Sequence, residues 1–101
     1  MIKKKNIGLI GAGYWGLNLV RNFHKIGVLK TISDVDIKKK KKVLEISNKL
    51  NFTSNYKDVL SDKSIVAVAI STPAKTHYKL VIEALKSDKH VFVEKPLCLK
   101  E

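Results

Sequence analysis

The sequence predicts an α/β fold built on a doubly wound parallel sheet. Three observations carry that prediction. Short apolar runs alternate with segments of helical periodicity along the chain, the pattern of parallel strands joined by crossover helices. The run Ile65-Val66-Ala67-Val68-Ala69-Ile70 is unbroken and apolar, as a strand covered on both faces should be. The first apolar run ends on Gly11-Ala12-Gly13-Tyr14-Trp15-Gly16 and leads directly into a helical segment.

Taken in order, Ile7 to Ile10 is the first strand and a helix follows from about Tyr14 to Ile26. Gly16, Leu19, Val20, Phe23 and Ile26 fall on one stripe of that helix, and Gly27 is placed to end it. Val28 to Ser33 is the second strand, closing on Asp34. Asp36 is positioned to cap a helix that runs to about Leu50 and buries Val43, Ile46 and Leu50. Asn51-Phe52-Thr53 makes a short third strand, and Asn55 caps a brief helix from Tyr56 to Leu60. After the fourth strand, Ile65 to Ile70, Thr76 is the candidate cap of a helix reaching Ser87. Its predicted stripe is His77, Tyr78, Val81, Ile82 and Leu85. His90 to Val93 is the fifth strand. Right-handed crossovers then give the strand order 3-2-1-4-5.

The 101 residues suffice for one small domain, residues 1–101, and for no second one. A hydrophobic fraction of 45% supports a core, and 29% charged residues argue against a disordered chain. The net charge of +11 comes almost wholly from lysine. Arg21 is the lone arginine able to fork onto a base, and no aromatic residue interleaves with Lys38 to Lys42. The lysine run reads as a solvated helix face, so no nucleic-acid partner is expected. No apolar stretch approaches the roughly 20 residues that cross a bilayer, and no membrane partner is expected either. The opening Met1-Ile2-Lys3-Lys4-Lys5 precedes a glycine-containing strand, not a signal peptide. Cys98 is the single cysteine, which excludes an internal disulfide and fits a cytoplasmic location.

In a sheet of this order, ligands bind beyond the carboxyl ends of the strands, where the order reverses. That rule brings the glycine turn, Ser71-Thr72-Pro73 and Glu94-Lys95-Pro96 around one crevice. Gly11 permits the tight turn, Gly13 admits a pyrophosphate to the backbone, and Gly16 allows close helix–strand packing. The start of the helix, with its free N–H groups, holds the anion. Asp34 lies about 20 residues further on, where an acid reaches the adenosine ribose hydroxyls. Its charge would repel a 2′-phosphate, so NAD is expected over NADP. Lys95 is the candidate catalytic residue, a proton shuttle beside a reacting hydroxyl. Glu94 either holds the nicotinamide ribose or pairs with Lys95. From spacing alone an ordinary surface turn is the better reading of Glu94-Lys95-Pro96. His77 reads as a cofactor contact or as a core histidine at a helix start. Tyr14 and Trp15 either shield the pyrophosphate or pack against another domain. No clustered His and Cys residues support a metal site.

With these residues in view, the chain resembles the amino-terminal Rossmann domain of the Gfo/Idh/MocA oxidoreductases. The resemblance rests on Gly11 to Gly16, Asp34, Ser71-Thr72-Pro73 with His77, and His90 to Leu97, the last being the most specific. It implies NAD-dependent oxidation of a sugar or nucleotide-sugar hydroxyl, with Lys95 as the catalytic lysine. It also implies that Glu94 and His77 line the nicotinamide half and that Thr72-Pro73 forms the dinucleotide loop. Tyr14-Trp15-Gly16, Asn18 and Arg21-Asn22 are similar to the branch acting on UDP-N-acetyl-hexosamine derivatives. The resemblance also implies a second domain that supplies substrate contacts and the homo-oligomer interface; within residues 1–101 no substrate domain is expected. The chain alone is therefore expected to bind NAD weakly and to turn nothing over. A non-catalytic Rossmann module for nucleotide sensing or partner docking is the alternative.

Overall fold

The computed structural model of the chain describes residues 5–72 and 74–93, the side chains of Tyr14, Trp15, Ala74, Lys75 and His77 excepted. Five strands and four helices alternate through it: β1 (Ile7–Ile10), α1 (Tyr14–Lys25), β2 (Leu29–Ser33), α2 (Lys39–Ile46), β3 (Asn51–Thr53), α3 (Tyr56–Ser61), β4 (Ala67–Ile70), α4 (Ala74–Lys86) and β5 (His90–Val93). All neighbouring strands pair in parallel, in the order β3-β2-β1-β4-β5. The predicted order is the observed one.

Alternate residues of the central strands feed two separate cores. Leu9, Ile32 and Ala69 join Val20 of α1 and Val43 of α2 on one face. Ile10, Val68 and Ile70 join Val59 of α3 and Leu80 and Ala84 of α4 on the other. Burial on both faces explains why β4 reads as a continuous apolar run. The register slips once. Ile7 pairs with Leu29 but Gly8 pairs with Thr31, which leaves Lys30 as an extra residue in β2. Such a bulge re-aims a side chain. Here the Lys30 ammonium reaches Asp62 Oδ2 at 2.7 Å and Ser64 Oγ at 2.6 Å.

The helix ends follow from local chemistry. Gly27, at φ 78°, closes α1: its N–H donates to the His24 carbonyl, and the Val28 N–H donates to the Phe23 carbonyl. These are the paired bonds of a Schellman cap, and they satisfy carbonyls that the helix leaves open. Asp88, at φ 61°, takes the same left-handed position after α4. Asn55 caps α3 as predicted, its side chain accepting from the Lys57 N–H at 3.0 Å.

Several predicted boundaries and faces are corrected. Asp36 caps a preceding turn, accepting from the Lys38 N–H at 3.0 Å, and α2 begins only at Lys39. α2 stops at Ile46 because the chain turns there, with the Leu50 N–H bonded to the Ser47 carbonyl. Val43 and Leu50 are buried as predicted, and Ile46 packs against them. Thr76 is no cap, since α4 already starts at Ala74. The buried stripe of α4 is Leu80, Val81 and Ala84, whereas Tyr78 and Leu85 point outward at 76% and 57% exposure. Ile26 caps α1 from outside the core and is half exposed. β4 begins at Ala67, because the chain before it turns through a bond from the Ile65 N–H to the Asp62 carbonyl.

Candidate functional site

The carboxyl ends of β1, β2 and β4 open onto a cavity of about 500 Å³, a size usual for small-molecule and cofactor sites. It sits where the strand order reverses, with β2 on one side of β1 and β4 on the other. Gly11 and Gly13 line it from the turn after β1, Asp34 and Val35 from the end of β2, and Ser71 and Thr72 from the end of β4. Tyr56 of α3 and Thr76, Lys79 and Leu80 of α4 complete the wall.

Steric demands account for the glycine spacing. Gly11 has φ +103°, and a Cβ on it would lie 2.5 Å from the Ser71 carbonyl oxygen. A Cβ on Gly16 would collide with the Gly11 carbonyl oxygen, so α1 approaches the turn only because Gly16 has no side chain. Gly13 is different, since nothing lies within 4 Å of the place its Cβ would occupy. Two glycines are required by the fold; the third faces room.

The end of β2 is tied to this turn. Asp34 Oδ2 accepts from the Ala12 N–H at 2.8 Å, and Oδ1 accepts from the Asp36 N–H at 2.8 Å. Each oxygen keeps capacity for a further donor, such as a ribose hydroxyl. α1 begins at this same place with no side-chain cap and no acidic residue in its first turn. The N–H groups of its first turn therefore meet no cap and no acid from that turn, the Asp34 carboxylate being held one residue earlier on Ala12, a setting suited to a phosphate. Thr72 Oγ1 is buried and has no hydrogen-bond partner among the described residues. A buried hydroxyl in that state is costly, and a polar ligand is one way to satisfy it.

At the α3–α4 wall, Tyr56 Oη donates to Glu83 Oε1 at 2.8 Å, while Glu83 Oε2 lies 3.9 Å from Lys79 Nζ. The hydrogen bond to Glu83, helped by burial, holds the Tyr56 hydroxyl above its ordinary pKa. Among the described residues, no group of three or more His, Cys, Asp and Glu could hold a metal ion. No helix there is long and apolar enough to cross a membrane.

Of the predicted residues, Gly11, Gly13, Asp34, Ser71 and Thr72 meet around this cavity, and Gly16 packs beneath it. The backbones of Tyr14 and Trp15 form the start of α1, and that of His77 lies in α4, but their side chains lie outside what is described. Pro73, Glu94, Lys95 and Pro96 lie outside the described residues. Val35, Tyr56, Lys79 and Leu80 line the cavity without having been predicted. Leu80 lies on the buried stripe of α4 beside the correctly predicted Val81, so the right helical phase would have found it, whereas Lys79 is mostly exposed and no stripe points to it.

A parallel sheet with an uncapped helix start, a glycine turn and an anchored acid at its reversal point defines a dinucleotide-binding α/β domain. Residues 5–100 match the Gfo/Idh/MocA family model, described as an oxidoreductase family with an NAD-binding Rossmann fold. The chain belongs to that family. Myo-inositol 2-dehydrogenase of Thermotoga maritima is 38% identical over 98 residues, covering 92% of this chain and 28% of that protein. Levoglucosan dehydrogenase, solved with NADH and levoglucosan, superposes with a TM-score of 0.74 at 25% identity, over 91% of this chain and 28% of that one. UDP-N-acetylglucosamine 3-dehydrogenase of Acidithiobacillus ferrooxidans superposes with a TM-score of 0.79 at 25% identity, over 94% of this chain and 30% of that one. The chain thus spans well under half the length of the relatives it matches.

Proposed function

We propose that this chain is the NAD(H)-binding part of a dehydrogenase that oxidises a hydroxyl on a sugar, nucleotide-sugar or cyclitol ring. The carrying observation is the Asp34 carboxylate, fixed by the Ala12 N–H at 2.8 Å beside the uncapped start of α1. In this reading the turn Gly11 to Gly16, with Tyr14 and Trp15, seats the pyrophosphate, and Asp34 accepts from the adenosine ribose hydroxyls. Ser71, Thr72 and Pro73 form the facing loop, where the unpaired Thr72 hydroxyl finds a partner. The Asp34 charge opposes a 2′-phosphate, which favours NAD over NADP.

The chemistry of the bound nicotinamide is to accept a hydride from the carbinol carbon. Lys95, as the neutral amine, takes the hydroxyl proton as the C–O bond becomes a carbonyl. Glu94 and His77 hold the nicotinamide half. These three roles rest on the family resemblance of the motif and on the family match over residues 5–100. The named relatives act on inositol, levoglucosan and UDP-N-acetylglucosamine, which supports a polyhydroxylated ring as substrate. The likeness at Tyr14-Trp15-Gly16, Asn18 and Arg21-Asn22 favours a nucleotide sugar among these. A single cysteine suits the reducing cytoplasm as the site of action.

Calorimetric titration of the chain tests the binding half of this reading. NADH is expected to bind, NADPH to bind at least about tenfold more weakly, and Asp34→Ala to remove most of that difference. A folded chain that gives no heat with NADH overturns the reading. In a full-length relative joined to this domain, Lys95→Met is expected to abolish turnover, and unchanged turnover overturns the catalytic assignment.

A further inference from the structure

Glu83 does not line the cavity, yet it contacts two residues that do. Its Oε1 accepts from Tyr56 Oη of α3 at 2.8 Å, and its Oε2 lies 3.9 Å from Nζ of Lys79, one turn earlier in α4. Tyr56 also packs against the core beneath α3 and α4, so its ring is held by contact as well as by its hydroxyl. Lys79 is mostly exposed and lines the cavity from α4, while Glu83 is partly covered. The charges of Lys79 and Glu83 thus face each other, and what the α3–α4 wall offers the cavity is the Tyr56 ring with the aliphatic stem of Lys79 beside it. Flat, apolar and uncharged walls suit a purine base better than a phosphate or a sugar.

We propose that Glu83 is a positioning residue for the adenine of the dinucleotide: through its hydrogen bond it fixes the Tyr56 ring as the wall against which the base is held. This rests on the cofactor reading above. The position fits the rest of the crevice, because Tyr56 and Lys79 line the same cavity as Asp34 and Val35, the residues at the ribose end. The two contacts differ in strength. The Tyr56 bond is short and charge-assisted, whereas the Lys79 pair is long and exposed and contributes little. Glu83 therefore acts mainly through Tyr56.

The test compares ADP-ribose with 1,N6-etheno-ADP-ribose, whose bridge across N1 and N6 widens the base and removes its amino donors, by titration into the whole chain. A ring held in one place should favour the natural base by about tenfold. Glu83→Ala should reduce that preference to about twofold, Glu83→Gln should keep it because its amide oxygen still accepts from Tyr56, and Lys79→Met should change it by no more than about twofold. A ratio of two affinities is insensitive to a general loss of stability. Should Glu83→Ala fail to fold, Tyr56→Phe removes the same bond, keeps the ring, and must lower the preference in the same way. An unchanged ratio in the folded variant, or no preference in the unaltered chain, overturns the positioning role and leaves the cofactor reading intact. No binding of ADP-ribose by the folded, unaltered chain overturns both.

Discussion

The two ends of the sheet treat their polar groups in opposite ways. At the amino ends the charged groups are matched internally. Lys30, turned out of β2 by the bulge, meets Asp62 and Ser64, and the buried Lys89 donates to the carbonyls of Asp62 at 2.7 Å and Ile65 at 2.5 Å. At the carboxyl ends α1 starts without a cap, the Thr72 hydroxyl is unmatched among the described residues, and Gly13 borders empty space. One end is closed by its own bonds and the other is left incomplete. The difference separates what the chain needs in order to fold from what it keeps for a ligand.

Substitutions can break that contrast, and the largest effect belongs to a residue that serves both purposes. Gly11→Ala combines a strained positive φ with a collision against the Ser71 carbonyl. It should cost about 3 kcal/mol, read as a lower urea midpoint, together with lost NADH binding. At the closed end, Lys89→Met leaves two carbonyls without their donor. A loss of about 2 kcal/mol is expected, with NADH affinity unchanged in the folded fraction. A drop in affinity there would show that the two ends are not independent.

Gly13→Ala sharpens the comparison from the other side. Its Cβ meets nothing within 4 Å, so stability should fall by no more than the roughly 1 kcal/mol that alanine costs at a helix N-cap, while NADH affinity falls about tenfold. Equal affinity would mean that the empty space is not the ligand's. The smallest effect concerns acid. The hydrogen bonds from Lys30 and Ser64 hold the Asp62 carboxyl down to about 2, against an ordinary 3.8. A folded pKa below the unfolded one stabilises the native state above the unfolded value, and that contribution fades as pH falls through the folded value. Urea midpoints of the unaltered chain should exceed those of Asp62→Asn near neutrality, and the gap should close between pH 3.8 and about 2.

Much of this was legible in the residues. The alternating pattern, the glycine turn and the apolar run of β4 suffice for the strand order, because right-handed crossovers leave few topologies. Gly11, Gly13, Asp34, Ser71 and Thr72 were legible as a group, since each sits where a strand ends. The phase of α4 was not. The predicted stripe, His77, Tyr78, Val81, Ile82 and Leu85, and the observed one, Leu80, Val81 and Ala84, share Val81 and both satisfy helical spacing, and only packing against β4 and α3 selects the second. Thr76 resembled a cap by residue type, yet the helix starts earlier, and type alone carries no position. The links from Asp34 to Ala12 and from Tyr56 to Glu83 join residues 22 and 27 apart, distances at which no periodicity applies.

The double anchoring of Asp34 has a kinetic meaning. With one oxygen on the Ala12 N–H and the other on the Asp36 N–H, the carboxylate has lost its rotamer freedom before any ligand arrives. Ordering such a side chain at an interface costs about 0.5–1.5 kcal/mol, and here that entropy is removed during folding. In the function proposed above, the ribose would meet a preorganised acceptor. Association need not wait for the acid to find its orientation, and differences in affinity among dinucleotides should come mainly from how fast each one leaves.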